Sequence, residues 1–179
     1  MNLEKQLENI VLRCRGGDRQ AFEELFELYQ PRLKYYVRRL NGTGAADDDI
    51  LQDIWVKVFR KIHKLKDIRS FPIWLYRIAR NEIYSRFRRK QKFVQLPEEE
   101  RLPQSCNDEP VFSADDAQRM HNTLNKIKPY HREVLTLSFI EQMSYQAIAD
   151  VIGCSIGTVR SRIFYAKQSL RKEMESQNE

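Results

Sequence analysis

The stretch YQAIADVIGCSIGTVRSRI, residues Tyr145 to Ile163, decides the fold of the C-terminal part of the chain. Ser144 precedes a helical pattern as an N-cap residue would, and Gly153 suits the left-handed conformation that ends many helices. Ser155 then caps a second helix with apolar residues at helical spacing. The inward-facing residues are Ala147, Ile148, Val151 and Ile152 on the first helix, and Val159, Ile163, Ala166 and Leu170 on the second. Two helices joined by such a short, glycine-containing turn predict a helix-turn-helix.

The second helix of this motif has a polar side that suits DNA. We expect Gly157, Ser161, Tyr165 and Gln168 on the face opposite the buried stripe. Small residues near the helix start allow close approach to base edges, and flanking cations suit phosphates. The candidate duplex-DNA contacts are Ser155, Gly157, Thr158, Arg160, Ser161, Arg162, Tyr165 and Lys167. A purely structural helical hairpin remains the alternative.

The rest of the chain also reads as helix. Apolar residues recur at helical spacing nearly everywhere, and no alternating β-branched run indicates a strand, so the predicted fold class is all-α. We expect helices near residues 3–15, 18–40, 46–64 and 71–90. The acidic, proline-containing stretch after them predicts a flexible linker. The predicted organisation is two small helical domains, residues 1–92 and 114–179, joined by a flexible acidic linker over 93–113.

The charge is unevenly distributed and favours a polyanionic partner. Residues 1–95 carry 21 basic and 12 acidic side chains, residues 96–116 carry one and seven, and residues 117–179 carry nine and six. Two basic blocks beside aromatic residues are typical of nucleic-acid binding. The three cysteines lack any paired spacing, which predicts reduced thiols and neither a metal site nor a cofactor. No apolar run approaches the roughly 18 residues of a membrane span, so we expect a cytoplasmic protein without membrane insertion.

The stretch FPIWLYRIARNEIYSRFRRKQK, which begins at Phe71, predicts a single-stranded DNA surface. One helical stripe is apolar, formed by Leu75, Ile78, Ala79 and Ile83. The neighbouring stripe is cationic, amide-bearing and aromatic, formed by Arg77, Arg80, Asn81, Tyr84 and Arg88. Cations follow a phosphate backbone, aromatic rings stack on unpaired bases, and an Asn amide reads a base edge. Phe71, Trp74 and Tyr84 are the stacking candidates; the alternative is an amphipathic helix with core aromatics and solvated arginines.

Residues 47–58 suggest a second kind of surface. The three carboxylates of Asp47 to Asp49 fan around a helix, which favours helix capping over metal binding. Trp55 lies on a broad apolar face, and Gln52 and Asp53 stand beside it without an evident internal role, as contacts to a protein partner would. The histidines at 63, 121 and 131 are scattered, and each is expected at the surface.

The motifs DDDILQDIWVKVF, FPIWLYRIARNEIYSRFRR and REVLTLSFIEQMSYQAIADVIGCSIGTVRSRIFYAKQSLRK occur in an order that resembles the extracytoplasmic-function group of bacterial RNA polymerase sigma factors. The resemblance covers nearly the whole chain. It implies that residues 1–95 bind core RNA polymerase and open the −10 promoter element, while residues 114–175 read the −35 element as duplex. In such promoters the two elements lie about 17 base pairs, or roughly 58 Å, apart.

The resemblance also implies roles for particular residues. Gln52, Asp53 and Trp55 match positions that meet core polymerase. Asn81 matches an Asn near a pocket for a flipped base, and the loop from His63 to Ser70 forms the rest of that pocket. The implied −10 contacts are Lys64, Arg69, Trp74, Arg77, Arg80, Asn81, Tyr84 and Arg88. Ser85 and Tyr165 depart from the Asp and the basic residue that are frequent there.

The partners implied by the resemblance are core polymerase, promoter DNA and an anti-sigma factor that would hold the protein inactive near the membrane. Two alternatives come from other classes. An autonomous helix-turn-helix regulator would use only the C-terminal motif and would dimerise on a palindromic site, for which no heptad seam is evident. An enzyme acting on nucleic acid would need catalytic groups, and the sequence contains no phosphate-binding loop, paired-His motif or nucleophile elbow.

Overall fold

The computed structural model describes residues 3–41, 47–90 and 124–175, and these residues form helices and connecting turns without a β-strand. The predicted all-α class is confirmed over these ranges. The chain divides into two compact units, Met1–Val94 and Gln95–Glu179. The predicted linker over 93–113 lies outside the described residues. Within the described ranges, every helix is too short or too polar to span a bilayer.

The described residues of the N-terminal unit form four α-helices, with α2 at the centre. Helix α1 spans Leu3–Arg15, α2 spans Arg19–Asn41, α3 spans Asp47–Lys61 and α4 spans Phe71–Lys90. Helix α2 packs against each of the other three. Its fully buried residues include Leu25, Leu33, Tyr36 and Val37, which recur at helical spacing and form the centre of this core.

The turn between α1 and α2 is held by a capping aspartate. The Asp18 carboxylate accepts hydrogen bonds from the Ala21 backbone N–H at 3.2 Å and from Arg13 Nε at 2.8 Å. These two hydrogen bonds, from Ala21 first and then from Arg13, lower the pKa of Asp18. The same pairing raises the pKa of Arg13. Asp18 therefore acts as an ionised N-cap for α2.

Helix α3 is shorter than predicted. It ends at Lys61, whereas we expected helix to residue 64. The next residues tighten into a 3-10 turn over Ile62–Lys64, and a second 3-10 turn spans Ile68–Ser70. The extended backbone at Leu65, with φ of −67° and ψ of 112°, ends the first turn. The buried side chains of Ile62 and Leu65 anchor this segment to the core, which their spacing alone does not reveal.

The C-terminal unit contains the predicted helix-turn-helix. Helix α5 spans Pro129–Leu135 and continues as a π-helical turn over Thr136–Ile140. Helix α6 spans Tyr145–Ile152 and α7 spans Ile156–Glu175. Gly153 ends α6 with φ of 77° and ψ of 42°, a left-handed conformation that a side chain would strain.

Both predicted helix caps are confirmed. Ser144 Oγ accepts a hydrogen bond from the Ala147 N–H at 3.2 Å, and Ser155 Oγ accepts one from the Thr158 N–H at 3.1 Å. The buried stripe of α7 is confirmed as well, since Val159, Ile163, Ala166 and Leu170 are all buried. On α6 the prediction was wrong at one position: Ala147 is partly exposed, and the neighbouring Ala149 is buried instead.

Candidate nucleic-acid interfaces

Helix α4 presents the cationic face that the sequence predicted. Arg77, Asn81 and Arg88 are exposed, and Arg80 and Tyr84 are partly exposed. The Arg80 guanidinium lies 4.5 Å from the centroid of the Tyr84 ring, a cation–π pair that holds both side chains on this face. The single acid of α4, Glu82, is buried on another side of the helix. This face, from Arg77 to Arg88, is called the α4 face below, and its exposed charges are positive.

The prediction of stacking was wrong for Phe71. This residue is fully buried, and its ring makes an edge contact with Tyr29 at a centroid distance of 5.4 Å. The Phe71 ring is part of the core and contacts the Trp74 ring at a centroid distance of 6.0 Å. Trp74 and Tyr84 are partly exposed and keep an accessible ring surface.

The loop before α4 is ordered by Asp67. Its carboxylate accepts a hydrogen bond from the Arg69 backbone N–H at 3.0 Å, and its carbonyl accepts one from Ser70 Oγ at 2.7 Å. The side chains of Lys64 and Arg69 are exposed, although Arg69 Nε lies 3.4 Å from the Asp67 carboxylate. Two predicted contacts thus lie on a short, internally bonded loop next to the α4 face.

Ion pairs connect α3 to α4, and they correct one inference from the sequence. Asp53 has an internal partner after all: it pairs with Arg86, which also pairs with Glu82. Glu82 in turn pairs with Lys57. Burial alone would lower the pKa of Arg86, but its hydrogen bonds to Asp53 and Glu82 outweigh burial and leave the pKa raised. Gln52 is exposed, as predicted.

An apolar groove between α2 and α3 was not anticipated from the sequence. It has a volume of about 640 Å³ and is lined by aromatic side chains, including Phe22, Phe26, Trp55 and Phe59. Phe59 is 62% exposed and Phe26 is 38% exposed, which is unusual for such large apolar side chains. The sequence feature that could have predicted this groove is the presence of apolar residues outside the buried stripes of α2 and α3.

Trp55 forms the floor of this groove. The residue is 6% exposed, and its indole N–H donates a hydrogen bond to Gln30 Oε1 at 2.6 Å. Its ring contacts Phe26 at a centroid distance of 4.9 Å and Phe22 at 5.9 Å. Trp55 therefore shapes the surface that Gln52 borders, with little area of its own available to a partner.

The carboxylates at the start of α3 are used for packing between helices. Asp47 is buried and accepts a hydrogen bond from Asn41 Nδ2 at 2.9 Å, with Arg38 Nε at 3.6 Å. Asp48 lies 4.0 Å from Lys34. These contacts secure the start of α3 against the end of α2. In the described ranges, no three His, Cys, Asp or Glu side chains are grouped as ligands of one metal ion.

Fewer of the predicted DNA contacts on α7 are exposed than the sequence indicated. Ser155 and Arg160 are exposed, and Gly157, Thr158, Arg162 and Tyr165 are partly exposed. The turn is stiffened by a 2.9 Å hydrogen bond between the hydroxyls of Ser155 and Thr158. These six residues, called the α7 face below, present small side chains, hydroxyls and two arginines at the start of the helix.

Two predicted contacts do not belong to the α7 face. Ser161 is 1% exposed, and its hydroxyl donates to the backbone carbonyls of Thr158 at 3.0 Å and Gly157 at 3.3 Å. A serine that bonds back to its own helix has no hydroxyl proton to offer a base. Lys167 is 8% exposed, and its ammonium lies 5.6 Å from the Phe139 ring centroid. The prediction placed both residues on the solvent-facing side, which was wrong.

The expected surface position of the histidines also needs correction. His131 is 3% exposed within α5 and packs against Tyr130 at a centroid distance of 4.4 Å. His63 is exposed as predicted, and His121 lies outside the described residues. Pro129 in the first turn of α5 signals a helix start, but the burial of the helix that follows depends on tertiary packing.

These observations define a class of protein: a helical chain with a cationic, aromatic helix face in one unit and a helix-turn-helix in the other. Comparison with known proteins gives the family. Residues 25–93 match the model of Sigma-70 region 2, and residues 117–170 match the model of Sigma-70 region 4. The chain belongs to the sigma-70 family of RNA polymerase sigma factors, in its extracytoplasmic-function group.

Similar proteins span nearly the full length of the chain. It is 29% identical to the RNA polymerase sigma-H factor of Pseudomonas aeruginosa, over 98% of this chain and 97% of that protein. It is 28% identical to the ECF RNA polymerase sigma-E factor of Escherichia coli strain K12, over 97% of each. The solved structure of CnrH in complex with the cytosolic domain of CnrY shares its fold, with a TM-score of 0.69 and 24% identity over 95% of this chain and 97% of that chain.

The protein is therefore an RNA polymerase-binding sigma factor that directs transcription initiation. Sigma factors are DNA-binding regulatory proteins. The matches give no support to the alternative of an autonomous helix-turn-helix regulator, because they include a region 2 domain as well as the C-terminal motif.

Proposed function

We propose that the two units divide promoter recognition between them. The N-terminal unit docks on core polymerase through the α2–α3 groove and binds the unpaired −10 strand through the α4 face. The C-terminal unit binds the −35 duplex through the α7 face. The observation that carries this proposal is that one chain holds two exposed cationic helix faces of unlike chemistry, one rich in aromatic rings and the other in small side chains and hydroxyls. The protein acts in the cytoplasm as a specificity subunit and catalyses no reaction itself.

The α4 face supports a single-stranded ligand. Between Arg77 and Arg88 it extends about 16 Å along the helix axis, enough to follow several phosphates of one strand. The rings of Trp74 and Tyr84 are partly exposed and can stack on unpaired bases, while the exposed Asn81 amide can reach a base edge. Lys64 and Arg69 extend this cationic surface onto the preceding loop.

The α7 face supports a duplex ligand. Ser155, Gly157 and Thr158 surround the N-terminus of α7, where small side chains let a helix enter the major groove. Arg160 and Arg162 lie on either side of this helix start, and their guanidinium groups suit phosphates or guanine edges. Because aromatic side chains are scarce there, this surface is less suited to stacking on unpaired bases than the α4 face is.

The α2–α3 groove supports docking on polymerase. An exposed aromatic patch with a polar border is typical of a protein–protein interface. Gln52 lines this groove, whereas Asp53 lies on the side of α3 that faces α4, where it stays half exposed while paired with Arg86. The groove is also where an anti-sigma factor would exclude polymerase. We propose this partner because a protein of similar fold that is 24% identical to this chain, the sigma factor RpoE from Bartonella quintana, was solved in complex with the anti-sigma factor NepR.

Transcription by core polymerase, with and without the protein, tests the proposal as a whole. The templates would be promoters found by chromatin mapping of the polymerase-bound protein. We expect initiation only with the protein present, and a pre-melted −10 bubble should rescue variants of the α4 face more than variants of the α7 face. Equal rescue of both sets would contradict the division between single-strand and duplex recognition.

The docking groove has its own test, the substitution Phe59→Ala. Phe59 is the most exposed aromatic residue of the groove and packs edge-on against Phe22 at a centroid distance of 5.0 Å. Removing an aromatic anchor from an interface costs about 2 kcal/mol, so we expect roughly 30-fold weaker binding to core polymerase in a fluorescence titration. Leu12→Ala is the matched control, because Leu12 is 53% exposed on α1, outside the groove.

A further inference from the structure

Helix α2 carries a second cationic and aromatic surface that no role above uses. Arg32, Tyr35 and Arg39 recur at helical spacing and are partly exposed. The Arg39 guanidinium lies 4.8 Å from the centroid of the Tyr35 ring, and the Arg32 guanidinium lies 5.4 Å from that of Tyr29. These pairs repeat the chemistry of Arg80 and Tyr84 on α4. Arg32, Tyr35 and Arg39 are called the α2 face below.

The packing of the helices places the α2 face beside the α4 face. Tyr29 contacts Phe71, and seven residues later Tyr36 contacts Tyr76 at 5.1 Å, so α2 and α4 run parallel. Helix α3 contacts the opposite side of both: Trp55 contacts Phe26 on α2, and Lys57 pairs with Glu82 on α4. At 100° per residue, the residues of the α2 and α4 faces all point away from α3. The two faces therefore adjoin on one side of the unit.

The charge of this combined surface is of one sign. Helix α2 has no acidic residue from Leu28 to Asn41, and the single acid of α4, Glu82, lies on the side of α3. Five arginines lie on the surface. They are Arg32 and Arg39 from α2, and Arg77, Arg80 and Arg88 from α4. Because packed helices lie about 8–10 Å apart, a strand that crosses from one helix to the other stays within reach of arginines throughout.

We propose that the α2 face binds the unpaired promoter strand as it leaves the α4 face, with Arg32 and Arg39 on phosphates and the Tyr35 ring under a base. This inference rests on the proposed single-strand role of α4. The alternation of arginine and tyrosine suits unpaired nucleic acid, since rings stack on any base while cations follow the backbone. A duplex offers no base faces for Tyr35. The contact is therefore insensitive to base sequence and adds to the affinity for open DNA of any promoter.

The test is binding of holoenzyme to a promoter bubble over a range of salt concentrations. Each phosphate contact to a single strand contributes about 0.7 to the slope of log K against log salt. The double variant Arg32→Gln with Arg39→Gln should lower the magnitude of that slope by roughly 1.4. Tyr35→Leu should weaken bubble binding severalfold, while Tyr35→Phe, which keeps the ring, should not. Binding to core polymerase, measured separately, should stay unchanged for all of them.

The matched control is Arg19→Gln, which removes an arginine from the same helix at a site where its side chain is 92% exposed. An unchanged slope in the double variant, or an equal change with Arg19→Gln, would overturn the inference. The variants Arg77→Gln and Asn81→Ala separate it from the proposed function. If the α4 variants weaken bubble binding and the α2 variants do not, only the α2 inference fails. If the α4 variants also bind normally, the proposed single-strand role of α4 fails.

Discussion

Ser161 and Arg160 are neighbours on α7 with opposite exposure, and they allow a sharp test of how the duplex is read. Ser161 is 1% exposed and bonded to its own helix, whereas Arg160 is exposed. We expect Ser161→Ala to leave −35 duplex binding within about twofold, because no DNA contact is lost. Arg160→Gln should weaken it by about 1–3 kcal/mol if it reads a guanine edge. Electrophoretic mobility shifts of holoenzyme on a −35 duplex measure both, and a loss with Ser161→Ala alone would contradict the assignment.

Cys14 is predicted to be chemically inert in the folded protein. Burial is the main cause that raises its pKa to about 11, so the reactive thiolate is scarce at pH 8. We expect iodoacetamide at pH 8 to leave Cys14 unmodified in the native protein and to label it in urea, as read by peptide mass spectrometry. Cys154, in the helix-turn-helix turn, is partly exposed and serves as the internal control. Equal labelling of both cysteines in the native protein would show that α1 opens readily.

At the scale of whole elements, the ion pairs between α3 and α4 should set the stability of the N-terminal unit. The Glu82 side chain is 5% exposed, while its partners Lys57 and Arg86 are 47% and 26% exposed. Removing a buried partner costs several kcal/mol. Because the remaining cations can reach water, we expect about 1–2 kcal/mol for Glu82→Gln. Lys57→Gln should cost less, since Glu82 keeps Arg86.

Urea unfolding followed by tryptophan fluorescence measures this stability selectively. Both tryptophans of the chain, Trp55 and Trp74, belong to the N-terminal unit, so their emission reports on that unit within the full-length protein. Arg19→Gln, which breaks only an exposed pair with Glu23, is the control and should change little. A larger loss for Lys57→Gln than for Glu82→Gln would show that Glu82 is not the centre of the network.

Helix periodicity and capping residues were sufficient to predict most of the fold. Ser144, Gly153 and Ser155 predict the helix-turn-helix because each of them begins or ends a helix through backbone contacts within a few residues of itself. The errors lie where the deciding partner is remote in sequence. Asp53 meets Arg86 33 residues away, and Phe71 is buried by Tyr29 on another helix.

The candidate sites were predictable to a lesser extent, for a related reason. The α4 face follows from a 3.6-residue period and was found. The α2–α3 groove combines Phe22 and Phe26 with Phe59 from another helix, and no single period displays it. Ser161 failed because a short hydroxyl can turn back to the helix backbone, which residue type and position on a helical wheel do not reveal.

At the scale of the whole molecule, the length of the predicted linker raises the question of what would hold the two proposed DNA-binding faces at the right separation. A flexible coil of the length predicted for residues 93–113 has a root-mean-square span of about 25 Å. Promoter elements of the kind proposed for the two units lie about 17 base pairs, or roughly 58 Å, apart. If polymerase holds the two units on its own surface, the linker has only to connect them, and two weak contacts act as one bivalent site.

This reasoning predicts that promoter binding depends weakly on linker length. Doubling the linker with Gly/Ser residues costs about 0.6 kcal/mol in chain entropy, so open-complex formation by holoenzyme should fall only about threefold. A second variant that replaces the five acids of residues 93–113 with Asn and Gln keeps the linker length and removes its negative charge. If the longer linker and the neutral linker each lower open-complex formation more than tenfold, the acidic segment itself contacts polymerase. The linker would then be more than a passive connection. A threefold loss with the longer linker and none with the neutral one is the result expected when polymerase alone sets the spacing.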